Sequence, residues 1–426
     1  MPDVPVERLV VEGGHPIEGR VLLSGAKNAA LPVLAASLLV DGVVDLFNVP
    51  TKMSDIQGML TLLSALGAEV SVEEDHVRID PRSAEHSELP QDLAARTRAS
   101  VLLMGPLLHR FGEATIPAPG GCSIGTRPID LHCMAVERFG GAVVQRDDAV
   151  HATIRSPIPP AEITFPIRTT GGTENALSLA ARAEGQSLLL NAHVRPEITD
   201  LCRFLNAAGA RIRPIGSGAI GIHGVPRLHA VTHRIVPGDD EALTFLTAAA
   251  VTNGELEIVG ARADQLEIPL AYFRGSGVRI LDDAHSLYVL PSQRLTGMDV
   301  GTGPYPGINS DMQPFFVVFC TQALGPSRVT DTRFGSRFRY VEQLNRLGSG
   351  VRVEGSTAIV PGQTGLRGAC VEAVDLRAGG ALAVAGLAAT GETHILNVAQ
   401  IDRGYEELER KLQQIGARIE RIRERP

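Results

Sequence analysis

LLSALGAEVSV, residues 62–72, runs from an apolar stretch with helical spacing through Gly67 into an alternating, β-branched stretch. A glycine at that junction suits a helix C-terminus, because Gly enters the left-handed conformation without a Cβ clash. The pattern recurs as FGGAV at Gly140, AGARI at Gly209, SGVRI at Gly277, LGSGV at Gly348 and IGARI at Gly416, at spacings of 73, 69, 68, 71 and 68 residues. A second signature closes an Ala/Leu-rich helix: LAASLLVDG at Gly42, GPLLHRFG at Gly112, LAARAEG at Gly185, AAAVTNG at Gly254, TQALG at Gly325 and GLAATG at Gly391. Its spacings, 70, 73, 69, 71 and 66, keep the same period. Two markers in phase define a repeat. Each copy reads helix, Gly, strand, connection, helix, Gly, strand, with VVDLFNV, SLLLNAHV, ELEIVGA and THILNVA among the strands.

Six α/β units of about 70 residues could close one ring or form two domains of three. Single cores stop growing at roughly 250–300 residues, so two domains are expected. The boundary falls near HRIVPGDD, residues 233–240. It gives one domain of residues 21–234 and another of residues 1–20 with 235–426. The opening strand VERLVVEGG lies outside the first unit and is free to pair with the C-terminal half. An ordinary doubly wound α/β sheet shares the alternation but leaves the sixfold period unexplained.

With 44% hydrophobic residues the chain has material for sizeable cores. MPDVPVERLVVEGG has no basic segment followed by an apolar one, and no apolar run reaches bilayer length, so the chain reads as soluble, unexported and cytoplasmic. Its five cysteines are scattered without C-x-x-C spacing, which suits a reducing compartment. A net charge of −8 argues against a broad nucleic-acid-binding surface, so any anion is held in a local pocket.

PAPGGCSIGTRPIDLH, residues 117–132, crowds Cys122 and Arg127 among Gly120, Gly121 and Gly125, with Pro119 and Pro128 stiffening the ends. Either this is a bland surface loop with a chance cysteine, or it holds an anion beside a reactive thiol. Lys27 and Asn28 open an apolar helix in SGAKNAALPVLAASLL. A cation there opposes the helix dipole, which suggests an anionic ligand, although a solvated lysine in a turn explains it equally. Arg98 heads the helix in ARTRASVLLMGPLL. FPIRTTGGTENAL offers Arg168, Thr169 and Thr170 before Gly171, a usable phosphate cradle, with a Thr173 N-cap as the structural alternative. In PYPGINSDMQPFF, Asp311 precedes a helix as a cap or as a general base. Arg337, Arg377 and Arg403 are each expected at a helix mouth, so that six cations converge on an interdomain cleft. Cys133, Cys202, Cys320 and Cys370 are expected to be inert core residues.

SGAKNAALPVLAASLL, GGCSIGTRPIDLH, TENA, RPEITD, SDMQ, DLRAGGALAVAG and IDRGYE, in this order over nearly the whole chain, closely resemble the enolpyruvyl transferases. The resemblance implies two similar domains, each an inside-out α/β barrel of three units, with the active site in the cleft between them. It also implies addition and elimination between phosphoenolpyruvate and a hydroxyl, giving an enol ether and phosphate. By matching positions, Lys27, Arg127 and Arg403 would hold phosphoenolpyruvate, with Arg98 and Arg377 in support. Cys122 would be the general acid and a target of fosfomycin, and Asp311 would take the hydroxyl proton. Asn28, Arg127, Pro128, Ile129, Asp130, Leu131, His132, Thr169, Thr170, Gly171, Asp311 and Arg337 would bind a uridine nucleotide. The implied acceptor is the 3-hydroxyl of UDP-N-acetylglucosamine, for peptidoglycan precursor synthesis. The alternatives are the 3′-hydroxyl of UMP and, more remotely, a non-catalytic nucleotide-binding homologue. No metal, organic cofactor, nucleic acid or membrane is implied. Three segments depart from the family's usual pattern: PGDDE for PDRIE at 237–241, INSDMQ for FPTDMQ at 308–313, and FGSRF for FENRF at 334–338.

Overall fold

The computed structural model describes residues 6–117, 128–146, 148–216 and 218–424. They divide into two compact units, one of residues 6–24 and 237–424, the other of residues 25–117 and 128–236. Each unit has its own apolar core. The strand Glu18–Leu22 crosses the expected limit at residue 21 and pairs along its whole length with Glu255–Val259, so its unit extends to residue 24.

Six small sheets express the repeat. In the copy built on Glu255–Val259, that strand lies parallel to Glu18–Leu22 and antiparallel to Ser286–Leu290, which in turn pairs antiparallel with Arg279–Asp282. The same parallel-then-antiparallel order holds for the sheets built on Val44–Phe47, Gln186–Leu190, Ser327–Thr330 and Glu392–Leu396. On Glu113–Pro117 the parallel partner shrinks to one bridge between Glu88 and Thr115. The last sheet is completed by the opening strand Val6–Glu12, which pairs with both Glu392–Leu396 and Arg418–Glu424. The chain thus closes its sixth repeat with its first residues, as the position of VERLVVEGG anticipated.

The Ala/Leu-rich helices lie inside. Gln313–Cys320 is buried on every residue and Leu376–Ala388 on nearly all, and both pack against Asp239–Thr252 and against each other. A helix apolar all round must be enclosed, and the sheets enclose it. This is the inside-out α/β barrel, two-domain and three repeats to a domain. Among the described residues no helix is long and apolar enough to cross a membrane.

The first glycine signature behaves as read. Gly67, Gly140, Gly209, Gly277, Gly348 and Gly416 each follow a helix C-cap by one residue, with φ between 81° and 112°. The second differs. Gly112 caps its helix directly in the left-handed region, but Asn253 takes that conformation in place of Gly254. Gly254 is required for another reason: a Cβ there would lie 2.1 Å from the Ile17 carbonyl oxygen. Asparagine supplies a third repeated marker. Asn48, Asn191 and Asn397 follow the central strands at φ 58°, 52° and 59°, and their amides donate to the Ile235, Phe165 and Ala373 carbonyls. Asn tolerates this conformation, and its amide satisfies a carbonyl left over at the end of a neighbouring strand.

Candidate active site

Cys122 and Arg127 lie outside the described residues. The other expected residues fall into one group in each unit.

In the unit of residues 25–117 and 128–236, Lys27 is the first residue of the helix Lys27–Ala36, which has no acidic residue in its first turn and no side-chain cap. Its Nζ donates to Asp55 Oδ2 at 3.0 Å, both side chains being 8% exposed. The charge opposing the dipole is therefore answered by a carboxylate from the start of the next helix, Ser54–Ala65. Asn28 is the second residue of the helix and is half-buried. Arg98 heads the 3-10 turn Arg98–Leu103, which touches both Lys27–Ala36 and Thr170–Ala180. Its Nη2 donates to the Pro128 carbonyl at 3.4 Å.

Ile129 is the N-cap residue of the helix Asp130–Arg138, which carries Asp130, Leu131 and His132. His132 is buried, and its pKa is pushed down to about 4 by burial and by the neighbouring Arg98, so the ring is neutral. Asn175, in TENA, fixes the tautomer. Its Oδ1 accepts from the Gly105 N–H and its Nδ2 donates to the Val101 carbonyl, so Nδ2 also donates to His132 Nδ1 and leaves the ring proton on Nε2. Gly171 admits this ring: a Cβ there would stand 2.6 Å from His132 Cε1 and 2.7 Å from Nε2. Thr169, and not Thr173, caps the helix Thr170–Ala180, accepting from the Gly172 N–H at 3.3 Å. Thr173 instead donates to the Thr169 carbonyl. Thr170 and Gly171 lie in its first turn, half-buried.

In the other unit Asp311 precedes the helix Gln313–Cys320. It does not act as the cap, since the Asn309 Oδ1 accepts from the Asp311 N–H at 2.8 Å and the Met312 N–H at 3.1 Å. The Asp311 carboxylate takes Arg337 Nη2 at 3.0 Å on one oxygen and Arg377 Nε at 3.4 Å on the other. It is 28% exposed, whereas Arg337 and Arg377 are 2% and 4% exposed. Two buried cations thus grip a carboxylate that still meets solvent.

Both arginines remain charged. Burial, the largest single influence on Arg377, disfavours its charge, but Asp240, Tyr405 and Asp311 outweigh it and raise its pKa. Arg377 Nη2 lies 2.6 Å from Asp240 Oδ2, and its guanidinium stands over the Tyr405 ring at 5.3 Å. Burial likewise opposes the charge of Arg337, and Asp311, Asp375 and Asp331 overcome it. Asp375 caps the helix Leu376–Ala388, accepting from the Arg377 and Ala378 N–H groups at 2.9 Å each.

Close approach explains the glycines of DLRAGG and IDRGYE. A Cβ on Gly380 would meet Tyr405 Cζ at 2.7 Å, one on Gly379 would meet Ile401 at 2.5 Å, and one on Gly404 would meet Leu376 at 2.3 Å. The two motifs interlock. Arg403 ends the 3-10 turn Val398–Arg403 and Arg337 sits in a turned segment before the helix Val341–Arg346, so neither stands at a helix mouth as expected. Arg337 is buried by its carboxylates, and Arg403 Nη1 donates to Gln400 Oε1 at 3.2 Å.

Of the other cysteines, Cys202 and Cys320 are buried and their thiols are pushed up to about 12 and about 11, chiefly by burial. Cys133 is half-buried. Cys370 is exposed at the start of the strand Cys370–Glu372, contrary to the core assignment, because the short edge strand leaves its outer face to solvent.

Comparison with known proteins identifies the family. Residues 11–412 match the family model EPSP synthase (3-phosphoshikimate 1-carboxyvinyltransferase). The chain belongs to this enolpyruvyl transferase family. It is 43% identical to the UDP-N-acetylglucosamine 1-carboxyvinyltransferase of Lawsonia intracellularis, over 98% of this chain and all of the relative. It is also 43% identical to the protein of that name from Nitratidesulfovibrio vulgaris, over 98% of this chain and 99% of the relative. Among solved structures, the enolpyruvyl transferase NikO from Streptomyces tendae superposes with a TM-score of 0.89 at 25% identity, over 99% of this chain and all of that one. The EPSP synthase of Acinetobacter baumannii, 15% identical, shares the fold with a TM-score of 0.75 over 98% of this chain and all of that one.

Proposed function

We propose that the protein transfers the enolpyruvyl group of phosphoenolpyruvate to the 3-hydroxyl of UDP-N-acetylglucosamine, in the cytoplasm, as a step of peptidoglycan precursor synthesis. Full-length identity of 43% to enzymes named for that activity supports the acceptor. One structural observation carries the chemistry: Asp311 is a solvent-facing carboxylate fixed between two buried arginines.

In this reading the sugar hydroxyl attacks C2 of phosphoenolpyruvate while Asp311 takes the hydroxyl proton and Cys122 donates a proton to C3. The tetrahedral adduct then returns a proton from C3 to the Cys122 thiolate as the bond between C2 and the phosphate ester oxygen breaks, so that phosphate leaves with the bonding pair and the C2–C3 double bond of the enol ether forms. Lys27, Arg98, Arg127, Arg377 and Arg403 supply positive charge for the phosphate and carboxylate of phosphoenolpyruvate. Asn28, Pro128, Ile129, Asp130, Leu131, His132 and the turn from Thr169 to Gly171 form the uridine and diphosphate side, with the Nε2–H of neutral His132 as a donor. Arg337 acts on the acceptor side through Asp311.

Transfer to the 3′-hydroxyl of UMP is the second reading, favoured by the three departures PGDDE, INSDMQ and FGSRF beside Asp311. Incubation of phosphoenolpyruvate with equimolar UDP-N-acetylglucosamine and UMP, followed by mass spectrometry, tests the assignment. The enol ether of the sugar nucleotide is expected, and the enol ether of UMP alone would replace the acceptor.

A further inference from the structure

The three departing segments meet around Asp311. Asp240 lies in PGDDE and Asn309 in INSDMQ. Here Asp240 is buried and uses both oxygens: Oδ2 takes Arg377 Nη2 at 2.6 Å, and Oδ1 takes Asn309 Nδ2 at 3.3 Å. Arg377 and Asn309 both touch Asp311, Arg377 through Nε at 3.4 Å and Asn309 through its cap on the Asp311 N–H. From FGSRF comes Arg337, whose Nε donates to the Ser310 carbonyl and whose Nη2 holds the other Asp311 oxygen.

We propose that Asp240 is a positioning residue for Asp311, holding Asn309 and sharing Arg377 so that this guanidinium is not given wholly to the carboxylate that takes the acceptor proton. The inference rests on the proposed role of Asp311 as the proton acceptor. Its physical basis is the competition for one guanidinium. Arg377 is drawn toward Asp240 at 2.6 Å and stays 3.4 Å from Asp311. Without the Asp240 charge, Arg377 turns wholly to Asp311, and a carboxylate gripped by two guanidiniums is a poorer proton acceptor. Asp240, itself buried, touches neither substrate in this account, and of the residues proposed to bind substrate it pairs only with Arg377, one of five cations on the phosphoenolpyruvate side.

Asp240→Asn is expected to lower kcat about tenfold or more, within the range over which a general base acts. KM for the uridine nucleotide should change less than about threefold, and Asp240→Glu should recover most of kcat. Asn309→Ala removes the other link without stranding a buried charge, and should lower kcat about threefold while the protein stays folded. Circular dichroism and calorimetric binding of the nucleotide establish that each variant is folded. Folded Asn309→Ala and Asp240→Asn with wild-type kcat would overturn the proposal, as would a loss confined to KM. If the wild-type protein releases no phosphate from phosphoenolpyruvate with either nucleotide, the functional reading itself fails and this inference falls with it.

Discussion

Replacement of Asp55 by alanine probes the helix start on which phosphoenolpyruvate binding is proposed to depend. Asp55 is the carboxylate that answers Lys27, at 3.0 Å, with both side chains 8% exposed. Removing one partner of a buried ion pair costs about 3–5 kcal/mol, since the remaining charge is left in a poor solvent. The residual exposure places this pair at the lower end, about 3 kcal/mol. For a unit of roughly 200 residues each kcal/mol moves Tm by about 2–4 °C, so Asp55→Ala should lower the midpoint by roughly 6–12 °C in scanning calorimetry. Phosphoenolpyruvate should then restore more Tm in the variant than it adds to the wild type, because its anionic groups replace the missing carboxylate. Lys27→Met combined with Asp55→Leu should recover the stability but not the response to ligand. A midpoint within about 2 °C of wild type would show that the pair carries little of the stability. A ligand response no larger than that of wild type would refute the placing of Lys27 against phosphoenolpyruvate.

Gly171→Ala forces a methyl group to within 2.6 Å of the His132 ring and should weaken uridine-nucleotide binding about tenfold in titration calorimetry; unchanged affinity would separate His132 from the nucleotide. Glu174, in TENA, has its carboxyl pushed up from 4.5 to about 8, first by burial and then by Glu197, against the pull of Arg195. The folded chain therefore binds the extra proton between those values, and the associated stability is lost as pH rises through about 8. Unfolding free energies from urea titrations at about pH 6.5 to 8 should fall in the wild type, by at most about 1.4 kcal/mol per pH unit, and stay level in Glu174→Gln. That window avoids the buried His109 and His132, which titrate near 4 and lose stability only as pH falls below 6.5. Equal slopes in both proteins would mean that Glu174 is ionised. Fosfomycin should add one covalent adduct to the intact mass in the presence of uridine nucleotide, and Cys122→Ala should abolish it; labelling that survives the substitution would remove Cys122 from its proposed role.

The repeat was legible because its signals are local. A glycine after a helix, a run of alternating residues and an apolar stretch with helical spacing each lie within a dozen residues, and together they anticipate the helices and central strands and the pairing of the opening strand. Partners were not legible. Asp55 lies 28 residues from Lys27, Asn175 lies 43 from His132, and Asp240 lies 137 from Arg377, separations on which periodicity is silent. The fully buried Arg337 could be found only through the carboxylates that surround it. The asparagines after the central strands were visible in FNV, LNA and LNV, and their recurrence at the strand ends was a usable sign of left-handed turns.

Phosphate release from phosphoenolpyruvate, measured with UDP-N-acetylglucosamine and separately with UMP, bears most directly on the account. Release dependent on UDP-N-acetylglucosamine, abolished in Asp311→Asn, is the predicted result. Release with UMP alone, or none with either nucleotide, would contradict it.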